Sequence, residues 1–166
     1  ESITLRSYAN DPAEWVLGRV ASEEITSASG TRVRLTRNYY DGEPFKGLPL
    51  GKLTRGNLTR VESWVGPGPD AFELVAATKY DAHGNAIETR DGRGGGRRFE
   101  WDESGTFLLA EFLRTNTELE LVERQQVDQR FGVATRVEDY TGAVTTVRYD
   151  ALGRVTSVVR PGDSEE

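Results

Sequence analysis

Apolar and polar residues alternate with a period of two along most of this chain. Between residues 32 and 39, Val33 and Leu35 alternate with arginines, and between residues 72 and 80, Phe72 and Leu74 flank Glu73. Such alternation is typical of β-strands with one buried face. It recurs in four later segments, each bounded by a Gly, Asp or Asn turn signal: residues 119–124, 133–138, 144–149 and 155–159. The sequence therefore predicts consecutive antiparallel hairpins.

Three segments depart from this simple alternation. Phe107 to Leu113 is apolar at nearly every position, which favours a strand covered on both sides. Asp11 to Glu14 has an aspartate before a proline, so it predicts a short helical turn that ends at Gly18. The glycines between Asp91 and Gly96 predict the most flexible stretch of the chain.

An internal repeat runs through the second half of the chain. Tyr80 to Asn85 matches Tyr149 to Arg154, and Trp101 to Thr106 fits the same frame of an aromatic residue, Asp, two residues and Gly. Asp128 with Gly132 forms a degenerate copy, so the repeated aspartates follow one another at steps of 21, 26 and 22 residues. Half-repeats lie between them at Asp91–Gly92 and at Asp139–Gly142.

Each repeat has the chemistry of a hairpin turn. An Asp side chain accepts a hydrogen bond from the backbone two residues on, Gly supplies the positive φ, and the preceding aromatic faces the sheet. The turns are expected near residues 82–84, 103–105, 141–142 and 151–153. The predicted structural residues are Tyr40, Asp41, Tyr80, Asp81, Gly84, Trp101, Asp102, Gly105, Asp128, Gly132, Asp139, Gly142, Tyr149, Asp150 and Gly153.

These motifs resemble a known repeat family. Arg148 to Thr156 is similar to the YD repeat of the RHS family, whose signature is Tyr-Asp-x-x-Gly-Arg followed by an apolar residue and Thr. Tyr39 to Phe45, Gly47 to Gly51 and Arg55 to Arg60 resemble the repeat region of the B components of bacterial insecticidal toxin complexes, as does Trp15 to Val20. The resemblance covers roughly residues 14–162. Trp101 and Val127 depart from it, and the family's Asp-Pro-x-Gly self-cleavage motif does not occur.

The resemblance implies an all-β fold and a structural function. RHS repeats imply a curved antiparallel sheet of YD-repeat hairpins that spirals into a shell around a toxic C-terminal polypeptide. This chain would be one segment of that wall, with leading strands and loops at 1–78, YD repeats at 79–162 and a tail at 163–166. The implied partners are the rest of the shell and its enclosed polypeptide. The implied location is secreted or extracellular, within a larger bacterial protein.

Composition and charge narrow the classes of function. The chain has no Cys and one His, which excludes thiolate nucleophiles, cysteine zinc sites and sites that need two imidazoles. A net charge of -6 argues against nucleic acid as a partner, and no apolar run is long enough to span a membrane. We therefore predict no enzyme activity, no metal and no cofactor. With Met absent and Glu1 first, we expect an internal piece of a longer polypeptide.

Functional interpretations of single residues compete with structural ones. Asp41, Asp81, Asp102 and Asp150 resemble acid and base carboxylates, but they occupy equivalent repeat positions, which favours turns. His83 is interpreted as a turn residue, and Gly92 to Gly96 as a hairpin rather than a phosphate cradle. Arg32, Arg34 and Arg37 predict a basic stripe paired with glutamates.

The best alternative function is a carbohydrate-binding or adhesive β-repeat module of a bacterial surface protein. Trp15, Trp64 and Trp101 would then form a sugar-stacking platform with the tyrosines. The two hypotheses differ in where the aromatic rings lie, because a wall packs them against strands whereas a sugar site exposes them in a groove. The isolated chain is also expected to self-associate through its sheet edges.

Overall fold

The structure is entirely of the β class. A computed structural model describes residues 1–114 and 119–163, and no part of this range forms an α-helix. Strands that follow one another along the chain pair antiparallel as consecutive hairpins. The predicted fold class, an antiparallel sheet of consecutive hairpins, is confirmed.

Residues 1–95 form a first compact unit. Within it each strand pairs with its sequence neighbours only, and the registers shift by single residues at several points, most often near strand ends. Such bulges raise the local twist of the strands. The strands are β1 (Ser2–Asp11), β2 (Val16–Ser27), β3 (Arg32–Tyr40), β4 (Leu58–Trp64), β5 (Phe72–Tyr80) and β6 (Ala86–Asp91).

Residues 96–166 form a second compact unit with the same meander order. Its strands are β7 (Gly96–Trp101), β8 (Leu108–Arg114), β9 (Glu120–Asp128), β10 (Val133–Glu138), β11 (Val144–Tyr149) and β12 (Val155–Val159). The apolar segment from Phe107 is the strand β8, as expected. Only one of its faces is well covered, because Ala110 and Phe112 are buried whereas Leu113 is exposed.

The predicted helical turn at Asp11 is wrong. Residues 12–15 form a tight turn in which Asp11 Oδ1 accepts the N–H groups of Ala13 and Glu14, at 3.0 and 3.3 Å. Gly18 lies inside β2 with φ +72°, and its N–H donates to Asn10 Oδ1 at 2.7 Å. A helix cap and an Asx turn use the same side-chain hydrogen bonds, so Asp11 is compatible with both. The residues that follow alternate with a period of two, which favours a hairpin over a helix.

The buried core of the first unit is small. No large side chain among the described residues is fully buried, which is unusual for a domain of this length. Leu53 reaches the core from the loop at residues 41–57 rather than from a strand. The main cluster consists of Ala9, Ala21, Tyr40 and Leu53, with Val16 packed against it.

Arginines compensate for the limited apolar burial. The predicted stripe pairs with glutamates at two positions, Arg32 with Glu24 and Arg34 with Glu23, each at 2.6 Å. Because these pairs are substantially exposed, each contributes at most about 1 kcal/mol. Their role is to order neighbouring strands rather than to supply most of the stability.

Several other arginines lie over aromatic rings. The Arg37 guanidinium is 3.8 Å from the ring centroid of Phe72, and that of Arg98 is 3.5 Å from the ring of Phe112. Guanidinium groups stack on aromatic faces while their aliphatic stems cover apolar surface. Within each unit the strand backbones lie next to those of their sequence neighbours only, so these side chains act as the cover that a second layer would otherwise supply.

Gly92 marks a close approach between two backbone segments. A Cβ at this position would lie 2.0 Å from the carbonyl oxygen of Leu74 in β5. Gly68 offers a comparison, since its nearest neighbour would be the Ala71 Cβ at 3.9 Å. Neither glycine has a positive φ, so the two positions differ in available space rather than in backbone conformation.

We predict that Gly92→Ala destabilises the protein by about 2 kcal/mol, because the added methyl displaces a backbone carbonyl from its place. The matched variant Gly68→Ala should change the free energy of unfolding by less than about 0.5 kcal/mol. Urea unfolding followed by fluorescence measures both. Equal stability of the two variants would contradict the close approach between residues 74 and 92.

Candidate functional site

Four turns of the described chain share one pattern of hydrogen bonds. In the turn at Asp81, Oδ1 accepts the N–H groups of His83 at 2.9 Å and Asn85 at 2.8 Å. The Asp81 N–H donates to the Asn85 carbonyl, and the Gly84 N–H donates to the Asp81 carbonyl. The same four bonds close the turns that begin at Asp91, Asp139 and Asp150.

The fourth residue of each of these turns is a glycine with positive φ. The angles are +91° at Gly84, +87° at Gly94, +82° at Gly142 and +75° at Gly153. At Gly153 space is restricted as well, since a Cβ would lie 3.1 Å from the Phe131 ring. The turn therefore requires glycine for its conformation and, at one copy, for its packing.

Asp102 and Asp128 close related but longer turns. Asp102 Oδ1 accepts the N–H groups of Thr106 at 2.7 Å and Phe107 at 2.9 Å, and the Phe107 donor lies one residue beyond the last donor of a four-bond turn. Asp128 Oδ1 accepts the Arg130 N–H, and its carbonyl accepts the Gly132 N–H at 2.8 Å. The Asp102 and Asp128 turns are thus each one residue longer than the four-bond turn.

Asp41 has a role that differs from the other aspartates. Its carboxylate accepts four backbone N–H groups: those of Thr54, Arg55 and Gly56 on Oδ2, and that of Asn57 on Oδ1, at 2.7 to 3.0 Å. Asp41 itself has φ +52°, in the left-handed region. It therefore folds a loop 13 to 16 residues away instead of its own turn.

The bonds of Asp41 fix the loop at residues 41–57 onto the first unit. The Asp41 N–H donates to the Asn57 carbonyl at 2.8 Å, and the Asp41 carbonyl accepts the Thr59 hydroxyl at 3.0 Å. Between these ends, Leu53 enters the core beside Tyr40. The carboxylate thus acts as an internal anchor for the longest connection of this unit.

Three tyrosines at the aromatic position of the repeat bind in the same way. The hydroxyls of Tyr40, Tyr80 and Tyr149 donate to backbone carbonyls of the preceding strand, at 2.8 to 2.9 Å. The contact has the same geometry in each strand pair. Counted from the last residue pair that joins the two strands, the acceptor lies two residues before it on the first strand, and the tyrosine lies three residues after it on the second strand. The acceptors are the carbonyls of Val20, Leu58 and Ala134.

Hydrogen bonding holds the repeat carboxylates in the charged form. The Phe107 N–H, with the Ser104 hydroxyl, lowers the pKa of Asp102 to about 2. The pKa of Asp150 is lowered by the Arg154 N–H and by the Arg154 side chain. Partial burial would raise the pKa of Asp41, but its four N–H donors outweigh burial and lower it. None of these three carboxyls has the raised pKa of a general acid.

The two clefts at these turns do not assemble an acid and base pair. A cleft of ≈ 230 Å³ in the first unit is lined by Asp41, Arg55, Tyr80 and Asp81, and the carboxylates there accept backbone N–H groups. A second cleft of ≈ 480 Å³, in the second unit, is lined by Asp128 and Asp150 together with Arg136 and threonines, and both carboxylates there also accept backbone N–H groups. Within residues 1–114 and 119–163, no three His, Asp or Glu side chains converge on a possible metal position.

The three tryptophans lie in different local environments. Trp64 Nε1 donates to the Gly68 carbonyl at 2.6 Å, and the Arg32 guanidinium lies 5.4 Å from its ring centroid. Trp15 is 85% exposed in the turn between β1 and β2, whereas Trp101 is half-buried at the end of β7. Each indole thus belongs to a different part of the sheet.

Sequence reasoning missed two features of this site. The half-repeat at Asp91 closes the same four-bond turn as the full repeats, although its stretch was expected to be the most flexible. The partners of Asp41 were also missed, because they lie far along the chain in a segment without repeat character. The sign available in the sequence was the set of four glycines at 42, 47, 51 and 56. In the structure all four have a positive φ, as an ordered loop with several tight turns requires.

We predict that Asp41→Asn destabilises the protein by about 2 kcal/mol. An NH2 group then replaces one of the two accepting oxygens and faces a backbone N–H, so that donor loses its acceptor. The matched variant is Asp139→Asn. Asp139 places its backbone bonds on Oδ1 alone, so the amide oxygen retains them and only the contribution of the charge is lost; the loss of stability should be well below that of Asp41→Asn. Chemical unfolding at neutral pH compares the two, and equal losses would contradict the assigned role of Asp41.

Stability should fall in acid in a defined window. Because the folded pKa of Asp102 is about 2 and lies below the ordinary value of 3.8, its contribution is present above pH 3.8 and is lost as the pH falls toward 2. The Asp102→Asn variant should therefore show a weaker loss of stability over this window. Urea midpoints at pH 5, 3 and 2 measure the effect. Parallel pH profiles for variant and wild type would contradict it.

Comparison with known proteins gives a family for the C-terminal repeats. Residues 133–165 match the family model described as RHS Repeat. This range begins with β10 and includes the four-bond turns at Asp139 and Asp150. No curated protein matches the chain in sequence.

Solved structures match the fold over nearly the whole chain. The crystal structure of TcdB2-TccC3-TEV has a TM-score of 0.68 at 13% identity and covers 95% of this chain and 10% of that chain. The crystal structure of TcdB2-TccC3 without the hypervariable C-terminal region has a TM-score of 0.54 at 17% identity, with coverages of 99% and 9%. The Photorhabdus luminescens Tc holotoxin pore has a TM-score of 0.52 at 17% identity, with coverages of 95% and 9%.

The chain spans about a tenth of the length of these solved chains. At such identities the likeness is one of fold, and it agrees with the hairpins and aspartate turns described above. The RHS identification made from the sequence is thus confirmed: residues 133–165 carry an RHS repeat, in a chain that has the fold of a segment of the toxin-complex proteins.

Proposed function

We propose that this chain is a structural segment of the β-shell of a secreted bacterial RHS or toxin-complex protein, and that the shell encloses a toxic C-terminal polypeptide. The observation that carries the proposal is the four-bond aspartate turn, which occurs at Asp81, Asp91, Asp139 and Asp150 with the same partners. A feature repeated in equivalent positions suits a wall assembled from units. Each unit buries its apolar face only by stacking with its neighbours.

The chemistry of the repeated residues supports a structural role over a catalytic one. The aspartates bind backbone N–H groups, and a lowered pKa at Asp102 and Asp150 keeps them as acceptors over the physiological range. An enzyme would instead need one carboxyl with a raised pKa or a base beside a nucleophile. The repeat thus uses its charged groups to close turns.

The exposure of the strand residues supports the proposal of a wall that has partners on both sides. Most strand residues are half-buried or exposed, and stacked arginines cover rings such as Phe72 and Phe112. We assign the remainder of the same shell and its enclosed polypeptide as partners. The isolated segment, with open sheet edges, self-associates in this proposal.

Limited proteolysis of the natural polypeptide that contains this segment tests the proposal. The region C-terminal to the repeats should resist protease in the wild type and become cleavable in Asp41→Asn, because the variant loosens the loop at residues 41–57 and with it the core of the first unit. Asp139→Asn serves as the control and should retain protection. Cleavage of the C-terminal region at the same rate in the wild type as in denaturant would contradict enclosure.

One observation favours the alternative of a carbohydrate-binding module. Trp15 is 85% exposed with φ +56°, an uncommon conformation for a large side chain, and Asp11 holds its turn. Under this alternative, Trp15→Ala abolishes retention of the chain on a glycan array. Under the shell proposal the wild type is not retained at all, so the same array separates the two functions.

A further inference from the structure

The strand pair β8–β9 belongs to the degenerate repeat, in which Val127 stands at the position of the repeat tyrosine. A valine has no hydroxyl, so it cannot make the contact that Tyr40, Tyr80 and Tyr149 make. In those three strand pairs the contact lies at the end opposite the hairpin and fixes that end. The degenerate pair therefore lacks this contact unless another residue supplies it.

The acceptor of the contact is present in β8. The last residue pair that joins β8 and β9 is Ala110 with Arg124. Leu108 lies two residues before Ala110, which is the position of the accepting carbonyl in the other strand pairs. Val127 lies three residues after Arg124, which is the position of the tyrosine. The register alone thus identifies the Leu108 carbonyl as the equivalent acceptor.

Gln125 donates to this carbonyl. Its Nε2 lies 2.7 Å from the carbonyl oxygen of Leu108. Gln125 and Val127 are two residues apart on β9, so their side chains leave the same face of the sheet. The amide therefore reaches the equivalent acceptor from the neighbouring position on the face that carries the tyrosine in the other repeats.

The strand pair β2–β3 shows both donors at once. Asn38 lies two residues before Tyr40, just as Gln125 lies two residues before Val127. The Asn38 amide and the Tyr40 hydroxyl both donate to the Val20 carbonyl, each at 2.9 Å. A carbonyl oxygen has two lone pairs and can accept both bonds. An amide at this position is therefore an independent second route to the same acceptor.

The remaining two strand pairs use the hydroxyl route. In β4–β5 and β10–β11 the tyrosine is the donor, and the position two residues before it holds Thr78 and Val147, neither of which has an amide side chain. In all four strand pairs the equivalent carbonyl thus receives a side-chain N–H or O–H. What varies is which of two positions on the second strand supplies the donor.

We propose that Gln125 is the positioning residue of the degenerate repeat: its amide takes the place of the repeat tyrosine and fixes the end of the β8–β9 pair. The inference deepens the proposed wall function and rests on it for its role in a wall, because it makes the degenerate copy a complete unit. It also extends the sequence signature. An Asn or Gln two residues before the aromatic position identifies a strand pair that keeps the contact after loss of its tyrosine.

Alanine substitution of two adjacent glutamines tests the contact. Gln125→Ala removes the donor and should raise the equilibrium constant of unfolding about fivefold, which is the effect of one lost hydrogen bond. Gln126 is exposed and its side chain leaves the opposite face, so Gln126→Ala should stay within about twofold of the wild type. Urea unfolding measures both constants.

Exchange of the donor tests whether the two routes are equivalent. In the Gln125→Ala background, Val127→Tyr should bring the unfolding constant back to within about twofold of the wild type, whereas Val127→Phe supplies the ring without a hydroxyl. The carbonyl carbon chemical shift of Leu108, in protein isotope-labelled at the leucine carbonyls, reports the hydrogen bond itself. It should move upfield in Gln125→Ala, return with the tyrosine and stay displaced with the phenylalanine.

Three results would overturn the inference: equal unfolding constants of Gln125→Ala and Gln126→Ala, a Leu108 carbonyl shift that Gln125→Ala leaves unchanged, or restoration of that shift by phenylalanine as complete as by tyrosine. Both double variants keep a ring at position 127, so their comparison decides even where Gln125→Ala alone is unfolded. The wall proposal is judged separately by proteolysis of the natural polypeptide. Loss of enclosure there leaves the Leu108 contact in place, and loss of this contact leaves enclosure in place.

Discussion

The structure depends on one interaction, the acceptance of backbone N–H groups by an aspartate carboxylate. In a four-bond turn the Asp Oδ1 accepts two backbone N–H groups that a helix or sheet would pair with backbone carbonyls. The chain can therefore reverse within five residues. Because the carboxylate is charged, these bonds are stronger than those between neutral groups. The direction of each hairpin is thereby encoded locally, and pairing of the next strand follows with little search of distant contacts.

A second constraint follows from the shortage of buried apolar surface. The core of the first unit centres on two alanines, Tyr40 and Leu53, which is too little to order strands by burial alone. Arginine stacking and cross-strand ion pairs therefore help to align neighbouring strands. Such polar cover also leaves both faces of the sheet compatible with water or with another polypeptide.

The local features were predictable from sequence, and the distant ones were not. The turns at Asp81, Asp139 and Asp150 use partners within four residues, so residue type and spacing were sufficient to locate them. The helix expected at Asp11 failed because a helix cap and an Asx turn place the same bonds on the same side chain. The loop bound by Asp41 could not be inferred, since its donors lie more than ten residues away. The close approach of Gly92 to Leu74 likewise depends on the tertiary pairing of two strands.

The tyrosine contacts have a consequence for how such sheets change in length. In the strand pairs that end at Tyr40, Tyr80 and Tyr149, the hairpin closes one end and a hydroxyl from the same pair closes the other. The tyrosine contact of each pair is thus made by that pair's own residues and needs no particular side chain from the neighbouring pairs. Duplication or deletion of a whole pair during evolution preserves every such contact. A sheet built from such pairs therefore changes in length by whole pairs while these contacts stay the same.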